Sequence, residues 1–197
     1  MLRVATIVDD TCAEGPGRRW ALWVQGCSIR CAGCCNPEMF DERRGEPAAP
    51  GELEARIAAA RARGVEGVTF LGGEPFEQAA GLAELARHAR SLAMTVMVFS
   101  GFTLAQLRAR PGAAELLALT DLLVDGPYDR TRPEPSPPVG RRWLGSANQG
   151  MHYLTAAYAA DDPRMREPNT IEIRLSKAVL QINGWPTADR LVGKRGG

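Results

Sequence analysis

Apolar residues follow two rhythms along the chain. Leu2 to Val8 and Trp20 to Gln25 are short apolar runs with Gly15-Pro16-Gly17 as a turn between them, which predicts two strands. From Glu52 to Arg63 the rhythm turns helical, with Leu53, Ile57 and Ala60 on one stripe and Gly64 as the stop. Val65 to Leu71 reads as a strand that ends at Gly72-Gly73-Glu74-Pro75. A helix from Glu77 to Ser91 buries Leu82, Leu85 and Ala86, and Met94 to Phe99 is an apolar strand ending at Ser100-Gly101. Short helices are expected from Thr103 to Ala109 and from Ala113 to Leu119. Asp121 to Val124 is a strand that ends at Asp125-Gly126-Pro127-Tyr128.

Strands that are apolar throughout and alternate with helices are what a buried parallel sheet requires. Three successive strands end in Gly-rich or polar signals, and in α/β folds that edge binds ligands. After Tyr128 the regularity breaks. Arg132 to Pro138 is a proline-rich loop, and Arg141-Arg142 with Gly145 to Gln149 reads as a polar loop without independent meaning. Ile171 to Leu175 and Val179 to Ile182 predict a hairpin across Ser176-Lys177, followed by Gly184-Trp185-Pro186. The expectation is one domain over residues 1–190 and a frayed Gly-rich tail over 191–197.

Composition narrows the class without naming a function. The 197 residues suffice for one core, and 45% hydrophobic with 24% charged residues is ordinary for a soluble domain. A net charge of +1 offers no field for nucleic acid or an anionic membrane. No apolar run reaches membrane-span length, and the first residues lack the features of a signal peptide. The 5 cysteines fall within the first 35 residues, an odd and clustered set where a secreted disulfide framework would spread an even number, so the reducing cytoplasm is expected.

Candidate chemistry concentrates in that cluster. Cys27, Cys31 and Cys34 are spaced CxxxCxxC, and three soft thiolates on a tight loop can hold three irons of a four-iron four-sulfur cluster. The fourth iron is then open to a ligand that reacts. A four-ligand zinc knot is the bland alternative, but it asks for a second Cys or Cys/His pair that the chain lacks. A closed site with Cys12 as fourth ligand would remove the open iron. Cys35, next to Cys34, would give a less usual spacing and is read as a non-ligand. Gly72-Gly73-Glu74 can let backbone approach an amino group closely, or simply form a tight strand-to-helix turn. Ser100-Gly101 reads equally as a hydroxyl and bare backbone for a ligand and as a cap on the helix near Thr103. Asp125 is either a buried carboxylate for ribose hydroxyls or the first residue of an Asp-Gly-Pro turn.

In order along residues 4 to 150, these motifs resemble the radical S-adenosylmethionine superfamily. The match is narrowest to activating enzymes of glycyl-radical proteins, of the short anaerobic ribonucleotide reductase activase type. The residues that carry it are Gly15-Pro16-Gly17-Arg18, Trp23-Val24-Gln25-Gly26-Cys27, the cysteine motif with Asn36-Pro37-Glu38, and Phe70-Leu71-Gly72-Gly73-Glu74-Pro75. Phe99-Ser100-Gly101-Phe102, Asp121 to Tyr128 and Arg142 to Gln149 continue the series. The resemblance implies an α/β fold, a partial (β/α)6-type barrel of mostly parallel strands, here with a C-terminal hairpin extension. It implies S-adenosylmethionine on the open iron, with Gly72, Gly73 and Glu74 at its amino group. Ser100, Gly101 and Asp125 would lie near its carboxylate or ribose, and the backbone beside Cys35 would border the adenine. Reductive cleavage would yield a 5′-deoxyadenosyl radical that abstracts hydrogen from a partner glycyl-radical enzyme, with flavodoxin or ferredoxin as reductant. Cys35 stands where this family often has an aromatic residue or His. A radical enzyme acting on a peptide or small molecule, and a non-enzymatic metal-binding module, are the alternatives.

Overall fold

The computed structural model describes residues 1–175 and 180–184. The strands, in chain order, are β1 (Leu2–Thr11), β2 (Arg19–Val24), β3 (Glu46–Ala48), β4 (Gly67–Gly72), β5 (Thr95–Phe99), β6 (Leu122–Asp125), β7 (Gly150–Tyr153), β8 (Ile171–Leu175) and β9 (Leu180–Gly184). The helices are α1 (Pro50–Ala62), α2 (Ala79–Ser91), α3 (Leu104–Ala109) and α4 (Ala114–Leu119). Seven strands form one sheet in the order β3-β1-β2-β4-β5-β6-β7, and β8 pairs with β9 apart from it.

The sheet has a parallel centre, β2-β4-β5-β6, with antiparallel strands at both ends. The α/β expectation is met. No closed barrel forms among the described residues, since β3 and β7 stand as unjoined edges. Three parallel pairings replace the six repeats expected. The reason is local: β1 turns into β2 through a short Gly-Pro-Gly loop, and β7 returns against β6 without an intervening helix. The strands β3 and β7 carry too few apolar residues to be read from pattern, and they pair by backbone at the edges. The predicted hairpin turn at Ser176-Lys177 and the 191–197 tail fall outside the described residues.

Strand period explains why the central strands read as continuously apolar. Trp20, Leu22, Val24, Val68, Phe70, Val96, Val98 and Leu123 face the helices and pack with Leu53, Ile57, Leu82, Leu85, Leu107 and Leu116. The alternate positions face the other way. There Met97, Leu122 and Val124 meet Trp143, Leu144, Tyr158 and Met165, and Ala21 and Trp23 meet Val8 and Met39. Both faces are covered, one by helices and the other by irregular chain.

The irregular face is plugged at the amino ends of the parallel strands by Arg19, which is fully buried. Its guanidinium donates to Thr69 Oγ1 (3.0 Å), Thr95 Oγ1 (2.6 Å) and Tyr158 OH (3.0 Å). With every partner neutral, burial holds its pKa below the ordinary arginine value. At the same end of the sheet, just before β6, Asp121 ties strand to helix. Its carboxylate accepts from Arg90 Nη1 (2.6 and 2.8 Å), Val96 N (2.8 Å) and Thr155 Oγ1 (2.6 Å). Closed at its amino end by Arg19, the irregular face opens at the carboxyl ends of the strands.

Candidate functional site

Between β2 and β3 the chain loops out and back, carrying Cys27, Cys31, Cys34 and Cys35. Gln25 closes the neck: its Nε2 donates to Glu38 O and Asp41 O, both at 2.9 Å. Gly26 N donates to Met39 O at 2.9 Å, and Gln78 Nε2 donates to Gln25 O at 2.9 Å. Within the loop Cys34 N–H bonds Cys31 O at 3.1 Å across Gly33, whose φ of +79° suits glycine. A β-carbon at Gly33 would also meet Arg130 Cδ at 2.7 Å.

All four loop cysteines line one cavity of about 580 Å³ at the carboxyl ends of β2, β4 and β5. Gly72, Gly73, Glu74, Ser100 and Gly101 line the same cavity. The candidates from three separate sequence motifs therefore converge. Asp125 is the exception. Its neighbour Gly126 is in the wall, whereas the Asp125 carboxylate accepts from Leu104 N and from Gly150 N (3.1 Å). His152 Nε2 lies 3.0 Å from the same Oδ1 that accepts from Gly150. Asp125 thus binds the first N–H of α3 to β7.

The thiols are not electrostatically equal. Cys35 hydrogen-bonds to Cys34, which brings the Cys34 thiol down to about 6 and pushes Cys35 well up. Asn36 N–H adds a bond to Cys34 Sγ at 3.4 Å. Burial raises Cys27 and Cys31, opposed by the Arg30 and Ile29 N–H groups at Cys27 and the Tyr128 N–H at Cys31. A bound cation would reverse the balance for all three. Among the described residues no three His, Cys, Asp or Glu side chains converge on one point as a single ion demands. A cluster makes no such demand, because each thiolate takes its own iron.

The glycine pair is required by the seam it forms with the cysteine loop. Gly73 N donates to Val24 O and Glu74 N to Gly26 O, both at 2.8 Å. A β-carbon on Gly73 would sit 2.1 Å from Gly26 O, and one on Gly72, at φ +108°, would sit 2.7 Å from Val24 N. Glu74 is buried, and its carboxylate latches the end of β4 to the end of β5. Oε1 accepts from Phe76 N (3.0 Å) and Ser100 Oγ (2.9 Å), and Oε2 accepts from Gly101 N (2.8 Å). Burial still pushes this carboxyl up to about 7. Ser100 is committed to the latch and to Phe102 N (3.1 Å), so the cap of α3 falls to Thr103 in a capping box with Gln106.

Sequence pattern passed over Glu14, which lines the same cavity and is 8% exposed. The signal was an acidic residue directly before the Gly-Pro-Gly turn. Arg142 was also underread: it is buried, with its guanidinium on Glu167 Oε2 (2.8 Å) and Arg164 O (2.9 Å). Burial pushes the Glu14 carboxyl up to about 7, opposed by a bond from Asn183 and the Gly184 N–H. A carboxyl raised on folding favours the fold below its ordinary pKa near 4.5 and ceases to do so as pH passes 7. Glu14→Gln is therefore expected to match wild type in urea titrations at pH 4 and to gain about 3 kcal/mol on it by pH 8.

With this geometry in place, comparison with known proteins is decisive. Residues 13–152 match the family model described as a 4Fe-4S single cluster domain. The anaerobic ribonucleoside-triphosphate reductase-activating protein of Pasteurella multocida is 31% identical, over 72% of this chain and 91% of that one. Its Vibrio cholerae counterpart is 30% identical over 72% and 92%. The chain belongs to the radical S-adenosylmethionine activating enzymes. The pyruvate formate-lyase-activating enzyme of Clostridium pasteurianum adds a shorter match, 34% identical over 38% of this chain and 32% of that one. Membership brings a four-iron four-sulfur cluster and S-adenosylmethionine as cofactors. Three sulfurs on one cavity wall, with the Asn36 N–H directed at Cys34, fit that cluster. No helix among the described residues is long and apolar enough to cross a membrane.

Proposed function

We propose that this activating enzyme installs a glycyl radical on an anaerobic ribonucleoside-triphosphate reductase. The observation that carries the reading is the meeting of the CxxxCxxC sulfurs and the Gly-Gly-Glu strand end on one cavity. Cluster and S-adenosylmethionine together supply one-electron chemistry that ends in abstraction of a hydrogen atom from the acceptor.

The chain's own residues hold and orient. Cys27, Cys31 and Cys34 would hold the cluster, and the Gly72-Gly73-Glu74 strand end beside them would hold S-adenosylmethionine. Glu74 accepts three bonds of the roughly four its carboxylate can take, so one position remains for the amino group. An ammonium there would draw the raised carboxyl back to its ionised form. Ser100 and Gly101 fix that carboxylate, and Asp125 acts at one remove by setting Gly126 in the wall. Cys35 donates to Cys34 and borders the adenine side of the cavity. Trp23, Leu71 and Met39 supply apolar wall that excludes water from the reacting centre.

Anaerobic protein is expected to hold about four irons per chain. With reductant and S-adenosylmethionine it should release 5′-deoxyadenosine. Adding the reductase encoded in the same genome should produce a glycyl radical detected by electron paramagnetic resonance. Deoxyadenosine without a radical on the reductase would assign the enzyme another acceptor; iron without deoxyadenosine would sink the enzymatic reading.

A further inference from the structure

The β8–β9 hairpin is amphipathic in the unusual sense. In its register Ile173 faces Ile182 and Leu175 faces Leu180, so the four share one side. They are 59%, 37%, 83% and 60% exposed, respectively. The opposite side pairs Glu172 with Asn183 and Arg174 with Gln181. That polar side is the one bound to the protein. Glu172 accepts from Cys12 N (2.7 Å), Arg174 donates to Asp10 O (2.6 Å), and buried Asn183 donates to Thr11 Oγ1 (2.9 Å). A one-residue slip would turn the apolar set inward, and these bonds forbid it. The hairpin is pinned with its hydrophobic side out.

The whole of β9 borders the cavity, Gln181 and Asn183 as well as Leu180 and Ile182, so the exposed apolar side begins at the cavity rim. A small molecule taken whole into the cavity would make no use of an external strip. A polypeptide that feeds one residue into it must lay its flanks over the rim, where apolar contact is rewarded. The hairpin lies beyond residues 13–152, outside the matched cluster domain. We propose that the outward side of β8–β9 is a docking strip for the polypeptide carrying the acceptor glycine, which seats apolar residues on Ile173, Leu175, Leu180 and Ile182. This rests on the acceptor being a protein, as in the function proposed above.

The test uses full-length, cluster-loaded enzyme with Ile173→Thr/Leu175→Thr, which keeps strand-forming residue types, and separately Leu175→Asp. Neither position lines the cavity. Val139→Asp, 87% exposed in the proline-rich loop, is the control. Deoxyadenosine release without acceptor and the melting temperature should stay at wild-type values. The reductase concentration that half-saturates radical formation should rise at least about fivefold in both hairpin variants and not in the control. An unchanged half-saturation would overturn the docking strip while leaving the function intact. Wild-type enzyme that releases deoxyadenosine yet never activates the reductase would overturn the function and the named occupant together. A fall in melting temperature would show the strip covered by the protein's own chain, and a dimer that dissociates only in the variants would show it covered by a second copy; either result overturns the proposal.

Discussion

Cys34→Ala is expected to strip the protein of its cluster, and Cys35→Ala is expected to keep it. The two thiols are adjacent in sequence, line the same cavity and hydrogen-bond to one another, so proximity cannot choose between them. The backbone does. Asn36 N–H is directed at Cys34 Sγ at 3.4 Å, which favours that sulfur as the thiolate iron binds. The contact between the two thiols acts in the same direction, lowering Cys34 and raising Cys35. In Cys34→Ala the iron content should drop from about four per chain to near zero, taking all deoxyadenosine release with it. In Cys35→Ala the iron should remain. Loss of a hydrogen bond to a ligating sulfur should move the cluster to a more negative potential in a redox titration. The opposite pair of iron contents would make Cys35 the third ligand.

How far the sequence spoke depended on whether an element's role is written in side-chain pattern. The four parallel strands are covered on both faces, so their runs, such as Met94 to Phe99, were legible as buried strands to within two residues at each end. The edge strands β3 and β7 are short, with Glu46 and His152 among their residues and only Ala48, Met151 and Tyr153 partly buried against the core, and no periodicity marks them. The site divided in the same way. Cysteine spacing and Gly-Gly-Glu are local and survive as text. Glu14 reaches the cavity only because β1 and β2 fold back on each other, and Asn183 meets it from 169 residues away. The Ser100 hydroxyl reads equally as a ligand group and as a helix cap, and it is spent on Glu74 instead. Asp125 sat at the right strand end, yet its carboxylate turns to Leu104 and Gly150. Which lone pairs are already used is a tertiary fact, and spacing carries no trace of it.

Gly73→Ala is expected to cost both stability and cluster for the addition of one methyl. The added carbon would lie 2.1 Å from Gly26 O and 2.8 Å from Gly26 C, so it meets backbone, which cannot rotate away. Gly26 is held on its own side by Met39 O and sits one residue before Cys27. To admit the methyl, the seam must part: either Gly73 N leaves Val24 O or Glu74 N leaves Gly26 O. Overpacking of this kind costs about 1–3 kcal/mol, and a ligand loop displaced by about an ångström loses on the order of a hundredfold in rate. The contrast is Gly51→Ala in α1, where a β-carbon meets nothing within 4 Å and should gain about 0.5–1 kcal/mol. Urea denaturation, iron content and deoxyadenosine release should fall together for Gly73→Ala. A variant that kept its stability and iron but lost affinity for S-adenosylmethionine would mean that the missing side chain makes room for the ligand. The seam account requires the reverse order, with cluster loss appearing even when no S-adenosylmethionine is present, because the bare backbone at Gly73 serves first to seat the loop that carries Cys27.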